Sequence, residues 1–356
     1  MSSTNIYIDD IPDESYVGRF KQLGVEQYCI IYQNSVDPAA TTGVIDVGAV
    51  VKKIENNAAL GGGASFQDAQ VVVLDFEDPY MWPMMVGPEF FKKRDDGVVY
   101  DYNSINSNLV TAITELRARY PDKQWGYYSM PTIPASICKD GDPIRMVTPP
   151  GTGTYITNAS EEQLKNLKKH LTSSFRAVAD ASDFVSVSLY QIDRKDLDSL
   201  GLDRMDPLRA ELGGDICCNI AADKKKFAWV APVFFGFVNA TGVNSKGKVF
   251  DIISAEETIS DVVKPARQHG IDGLFVWLAS NYRISQITSP LSRGGHEGLR
   301  TWFNANFLAN TGAPSNDDSY WTAPHMVAAI KTIFTDWLYR FCEKLVKGIN
   351  SKETNE

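Results

Sequence analysis

Apolar runs of strand length recur along the chain with amphipathic helical stretches between them, and this alternation limits the fold more than any single motif. The runs lie at 28–33 (YCIIYQ), 70–77 (QVVVLDFE), 124–130 (QWGYYSM), 184–191 (FVSVSLYQ), 227–235 (FAWVAPVFF) and 273–280 (GLFVWLAS). Most are apolar on both faces, the pattern of parallel strands covered by helices. Between them, 108–119 repeats apolar residues at Leu109, Ile113 and Leu116. Ser160-Glu-Glu-Gln163 is a capping box that opens a helix reaching about residue 180. A further helix spans 254–269 and stops at Gly270. Strand–helix alternation predicts a parallel sheet, open or closed. An open dinucleotide fold needs a glycine fingerprint between its first strand and helix, whereas Gly61-Gly62-Gly63 precedes a strand. The 356 residues suit a closed fold of roughly 250 residues or more. The expectation is an α/β chain with a (β/α) TIM-like barrel over 1–310, irregular, with seven or eight strands. A linker and a C-terminal helix follow over 311–356. Val327, Ile330, Phe334, Trp337, Phe341 and Leu345 form one stripe of that helix, expected to pack on the barrel, with a partner or self-association interface as the alternative. The Pro/Gly/Thr-rich stretch 139–157 is expected to hang over the end of the barrel where sites collect.

Charge and composition exclude several function classes. The net charge of -9 argues against a dominant nucleic-acid binder. Five irregularly spaced cysteines and four scattered histidines form no zinc or disulfide pattern. No stretch approaches the ~18 apolar residues of a membrane span. The acidic N-terminal segment has no apolar run and is not expected to be a signal peptide. The chain is therefore expected to use no metal or cofactor, no nucleic acid and no membrane. Its compartment is open: cytoplasmic, released, or assembled without a standard secretion signal.

The chemistry concentrates in VVVLDFEDPYMWP, residues 71–83. Residues two apart on a strand share a side, roughly 6–7 Å from each other. Asp75 and Glu77 are thus expected to face one way and Phe76 the other. Neighbouring carboxylates perturb each other, and burial raises the pKa of the one that sheds its charge, so one stays protonated as a general acid. The alternative is that both cap a helix or pair with an arginine. Aromatics gather at the ends of the other strands: Trp125, Tyr127 and Tyr128, then Tyr190, then Phe234 and Phe235, then Trp277 and Tyr282. Flat π surfaces at one mouth suit stacking of sugar rings. Core packing is the alternative, above all for Tyr127 and Phe234.

The order of these motifs resembles the hyaluronidase family of glycoside hydrolases. The matching segments are Asp75-Phe-Glu77, Trp125-Gly-Tyr-Tyr128, Ser188-Leu-Tyr190, Pro232-Val-Phe234, Ser254-Ala-Glu-Glu257 and Gly270-Ile-Asp-Gly-Leu-Phe-Val-Trp277. They span about residues 28–308. The resemblance implies an endo-β-N-acetylhexosaminidase acting with retention, in which the substrate's own N-acetyl oxygen is the nucleophile. It assigns Glu77 as general acid, Asp75 as the partner of the acetamide, Tyr190 as its hydrogen-bonding tyrosine and Trp277 as the pocket wall. Tyr128, Trp125, Phe235 and Tyr282 are expected to complete substrate binding, and the partner would be a polysaccharide containing N-acetylhexosamine. An internal nucleophile removes the need for a second enzymic carboxylate at ~5 Å.

The chain departs from the family pattern at Asp78-Pro-Tyr-Met-Trp-Pro83, which lacks the expected arginine, and on the fifth strand, where phenylalanines replace an expected tyrosine. No counterpart of the family's cysteine bridges or signal peptide is expected. Two other readings stay open: a non-catalytic glycan-binding or structural protein on a hydrolase-like barrel, and a muramidase-type cell-wall hydrolase.

Overall fold

The structure, a computed structural model, describes residues 5–33, 45–56, 61–77, 79–93, 99–138, 153–191, 201–202, 204–232, 253–278, 284–285, 287–289, 300, 303–305 and 318–350. The strands in chain order are β1 Asn5–Ile8, β2 Val25–Gln27, β3 Cys29–Tyr32, β4 Gly61–Gly63, β5 Val71–Asp75, β6 Phe91–Lys93, β7 Val99–Asp101, β8 Gln124–Tyr127, β9 Ser136–Cys138, β10 Gly153–Tyr155, β11 Phe184–Ser188, β12 Lys225–Val230 and β13 Gly273–Val276. One parallel sheet runs β11-β12-β13-β1-β2, and a second runs β4-β3-β5-β8 with only β4 antiparallel. Among the described residues the ladders do not join into one closed barrel, although all six expected strands are present within a residue or a few of their expected bounds.

The two sheets share one interior. Tyr7, Tyr28, Ile30, Val71, Val73, Phe184, Phe227, Trp229 and Phe275 meet in a single cluster drawn from both. The opposite faces of the same strands (Ile6, Ile8, Ile31, Val72, Leu74) pack beneath the helices in a second cluster. This explains the two-sided apolar runs: each strand feeds two cores. Backbone hydrogen bonds also tie the sheet edges. Tyr28 N–H, between β2 and β3, donates to the Ile8 carbonyl at 3.2 Å. On the far side, Asp183 N–H donates to the Trp125 carbonyl at 2.8 Å. Within the interior, Trp229 Nε1 donates to Ser186 Oγ at 2.8 Å, and Ser186 Oγ donates to the Tyr127 carbonyl at 2.7 Å.

Of the parallel strands, β1 and β2 have no counterpart among the expected runs. All four residues of β1 pair in parallel with β13, and Ile6, Tyr7 and Ile8 also pair with β2. A run this short, flanked by acidic and polar residues, carries too little pattern to register.

The helices form where capping chemistry starts them. Ser160 and Gln163 close the expected capping box of helix Glu161–Ala181. Ser254 caps Ala255–Thr258, which continues through a π-helical turn, Ile259–Val263, into Lys264–Gln268. Helix Tyr102–Arg119 begins six residues earlier than its apolar repeat indicates, because Asp101 Oδ1 accepts from Ser104 N–H at 2.9 Å. The C-terminal helix, Pro324–Asn350, buries Ile330, Phe334, Thr335, Leu338, Phe341, Cys342 and Leu345. Val327 and Trp337 of the expected stripe are half-buried. Asp13 anchors this helix: its N–H donates to Thr335 Oγ1 at 3.1 Å, and Thr332 Oγ1 donates to its carboxylate at 2.6 Å. Lys344 pairs with Glu256 at 2.9 Å on the other flank. Among the described residues, no helix is long and apolar enough to cross a membrane.

Glycine makes room for the inner rings. A Cβ on Gly126 would stand 2.4 Å from the Phe184 ring, and one on Gly273 would stand 2.4 Å from the Asn5 carbonyl oxygen and 2.6 Å from the Phe227 ring. Overpacking a tight core costs about 1–3 kcal/mol. Gly126→Val is therefore expected to lower unfolding free energy by at least that much in urea titrations, and Phe184→Leu in the same chain to recover part of the loss. A Gly126→Val protein of wild-type stability would show that the interior has slack.

Candidate active site

The C-terminal ends of the parallel strands bring the candidate residues together. On β5, Val71 and Val73 point into the interior, so Asp75, next in the alternation, continues that face. Phe76 points the other way and packs on Tyr80 and Tyr127 at 5.4 and 5.9 Å between ring centroids. The strand ends at Asp75, so Glu77 sits on the coil just beyond it. There its N–H donates to Gln33 Oε1 at 2.6 Å, and its carbonyl accepts from Met81 N–H, which leads into helix Met81–Val86. The side chain is exposed, while Asp75 lies deeper.

This difference in depth sets the electrostatics. Burial first, and the negative charge of Glu77 second, hold the Asp75 carboxyl well above the usual carboxylate range. Asp75 Oδ1 is buried without a hydrogen-bond partner among the described residues. The site thus pairs a carboxyl biased toward its protonated form with a water-exposed one on a short stretch of chain.

Aromatic side chains wall this pair. Tyr128 and Tyr190 stack with centroids 6.2 Å apart and planes at 29°. Tyr190 continues to Trp277 at 5.8 Å and 30°. Tyr128 also meets Trp229 edge-on at 4.9 Å, and its hydroxyl donates to Ser188 Oγ at 3.3 Å. Trp277 Nε1 donates to Tyr32 Oη at 3.4 Å, across the two sheets. Burial pushes the phenols of Tyr32, Tyr128 and Tyr190 above their ordinary range. These tyrosines remain neutral and serve as hydrogen-bonding groups and flat surfaces.

The structure therefore gathers Asp75, Glu77, Tyr128, Tyr190 and Trp277 around one mouth. Trp125 stands apart from them. It is fully buried on the helix-facing side of β8, against Phe66 and Tyr120, with Nε1 donating to the Tyr120 carbonyl at 3.4 Å. Strand alternation explains this: Gly126 and Tyr128 face inward, so Trp125 and Tyr127 face out, and Tyr127 donates its hydroxyl to the Leu109 carbonyl at 2.7 Å. Phe235, Tyr282, Phe234 and Asp78 lie outside the described residues.

Three residues at the mouth escaped the sequence reading. Asp9 follows β1, is 1% exposed, and accepts from Leu278 N–H at 3.3 Å beside Trp277. Tyr28, just before β3, and Tyr32, at its end, both face the interior, and Tyr32 pairs in register with Asp75. The alternating IYI before Asp9-Asp10 was the available signal for the first. Among the described residues, no group of three or more His, Cys, Asp or Glu side chains is arranged to hold a metal ion.

No family model and no curated protein sequence matches the chain. Among solved structures, bee venom hyaluronidase aligns over 85% of this chain and 97% of its own, at 13% identity and a TM-score of 0.46. The same enzyme in complex with a hyaluronic acid tetramer aligns over 85% and 96%, at 14% identity and a TM-score of 0.42. A GH18 chitinase from Pseudoalteromonas aurantia aligns over 72% and 71%, at 14% identity and a TM-score of 0.29. At these identities and scores, the chain's own ladders and side chains carry the functional reading.

The buried acid also has a measurable consequence for stability. A carboxyl whose folded pKa is raised binds its proton more tightly in the folded state, so its contribution is fully present below the ordinary value of 3.8 and is lost as pH rises through the folded value. Asp75→Asn is expected to match the wild type near pH 4 and to exceed it by on the order of 1 kcal/mol or more at pH 7. Urea unfolding from pH 4 to pH 8 reads this; a stability difference that stays constant over that window would mean that Asp75 titrates as a solvated group.

Proposed function

We propose that the chain is a glycoside hydrolase acting on β-linked N-acetylhexosamine polymers with retention, using the substrate's N-acetyl oxygen as nucleophile. The observation that carries this reading is the half-buried Asp75, its Oδ1 enclosed without a hydrogen-bond partner among the described residues, beside the exposed Glu77 and next to the Tyr128–Tyr190–Trp277 aromatic row.

Coupled carboxyls titrate as a pair. In the open site the pair's proton rests on Asp75, the more deeply buried member. A sugar ring seated over Glu77 strips water from it and raises its proton affinity. Asp75 then ionises as the acetamide N–H supplies the hydrogen bond its Oδ1 lacks, and Glu77 holds the proton. Glu77 donates that proton to the glycosidic oxygen as the bond to the anomeric carbon breaks. The acetamide carbonyl oxygen attacks the same carbon, giving a cyclic oxazolinium whose positive charge Asp75 balances. Glu77, now a carboxylate, removes a proton from the water that opens the ring, which restores the acid and retains the configuration. Tyr190 would hydrogen-bond the acetamide, and Trp277 and Tyr128 would pack on sugar faces.

Glu77→Gln removes the acid while keeping the shape. General acid–base groups contribute about 10²–10⁴-fold, and a loss of that size is expected in the release of reducing ends from a panel of N-acetylated glycans. Wild-type protein inactive on every member of the panel would overturn the hydrolase reading. Full activity in Glu77→Gln would overturn the assignment of the acid.

A further inference from the structure

We propose that Arg209 is a positioning residue of the site, one that sets where Tyr190 stands; the assignment rests on the glycosidase reading above. Arg209 lies on helix Met205–Ile220, which packs on the outer face of β11, and its side chain is only 12% exposed. Its guanidinium reaches the site end of β11. Nη1 donates to the Tyr190 carbonyl at 3.0 Å and Nη2 to the Ser188 carbonyl at 3.1 Å. Both carbonyls lie at the edge of the ladder, where β11 has finished pairing with β12 at Ser188.

The two anchored residues are those that build the aromatic row. Ser188 receives the Tyr128 hydroxyl, and Tyr190 stacks between Tyr128 and Trp277. One fork thus fixes the backbone beneath two neighbouring members of the site. The helix comes close enough for this because Gly213, one turn further on, packs directly on Val187 and Leu189, where a Cβ would stand 3.1 Å from Val187 Cγ2. Asp206, 8% exposed, pairs with Arg209 at 3.5 Å and balances its charge away from water. Burying an ion pair of this kind adds little stability over an apolar replacement. What only a planar fork provides is two parallel donors in fixed geometry. Lysine, a single point donor, cannot span both carbonyls.

A double-mutant cycle tests the assignment. Displacing a substrate-positioning group by about 1 Å can cost roughly 100-fold. Arg209→Ala is expected to lose roughly 10–100-fold in kcat with KM little changed, and millimolar guanidinium to restore part of it. The Arg209→Ala/Tyr190→Phe protein is expected to be no slower than Tyr190→Phe alone, because Arg209 acts through Tyr190. Losses that multiply in the double variant, or wild-type kcat in Arg209→Ala, would overturn the proposal. Arg209→Lys is the second variant if alanine impairs folding: it keeps the charge beside Asp206, and a kcat equal to wild type would count equally against the assignment. A wild-type protein inactive on all glycans would sink the glycosidase reading alone. The positioning is then read by fluorine NMR on 3-fluorotyrosine-labelled protein. The Tyr190 signal, identified by its absence in Tyr190→Phe, is expected to shift in Arg209→Lys while that of the remote Tyr102 stays; an unmoved Tyr190 signal overturns the proposal.

Discussion

The bond from Ser186 Oγ to the Tyr127 carbonyl is the contact on which the interior depends. β8 and β11 meet without a regular ladder, and side chains supplement the backbone bond from Asp183 to Trp125 and the isolated bridge between Met130 and Ser186. Ser186 accepts from Trp229 on one side and donates to β8 on the other, and it is fully buried. A hydroxyl buried without partners would be costly; with both satisfied it becomes a strut. The Trp229 ring it orients supports Tyr128 from below and stacks on Phe275 at 4.6 Å. The aromatic row of the candidate site is therefore the top course of a stack that begins in the hydrophobic interior.

Within that frame, the difference between Asp75 and Glu77 is one of depth. Both belong to the same three residues of sequence, and neither is chemically special alone. The strand ends between them, leaving one in the wall and the other at the water. Two carboxyls made unequal by position can divide a proton unevenly, a precondition for acid chemistry near neutral pH. The neutral phenols nearby can donate hydrogen bonds without competing for that proton.

Much of this was legible in the sequence, for identifiable reasons. The apolar runs announced their strands because both faces of each are buried, and Ser160, Ser254 and Gly270 marked helix ends by chemistry that acts locally. Asp75 and Phe76 fell on opposite faces because alternation is a property of the strand itself. Trp125 was misplaced for want of phase: an aromatic in W-G-Y-Y can face either core, and only the clash a Cβ on Gly126 would make with Phe184 decides it. β1 and Asp9 were missed because four residues hold too little pattern, and Arg209 because its partners are backbone carbonyls, which leave no trace in residue identity.

The short first strand has a consequence for how the chain assembles. β1 sits between β13 and β2, so its neighbours come from the last strand of the chain and from the residues just after it. During synthesis the N-terminal residues must wait with one edge unpaired until the segment around Phe275 has emerged. Closing such a distant pairing is slow, because the loop entropy is lost before the contact is gained. The mouth, where Trp277 of one sheet meets Tyr32 of the other, would therefore be among the last parts of the molecule to take shape. Until then Asp75 is not yet enclosed, and the difference in depth between the two carboxyls has not yet been made.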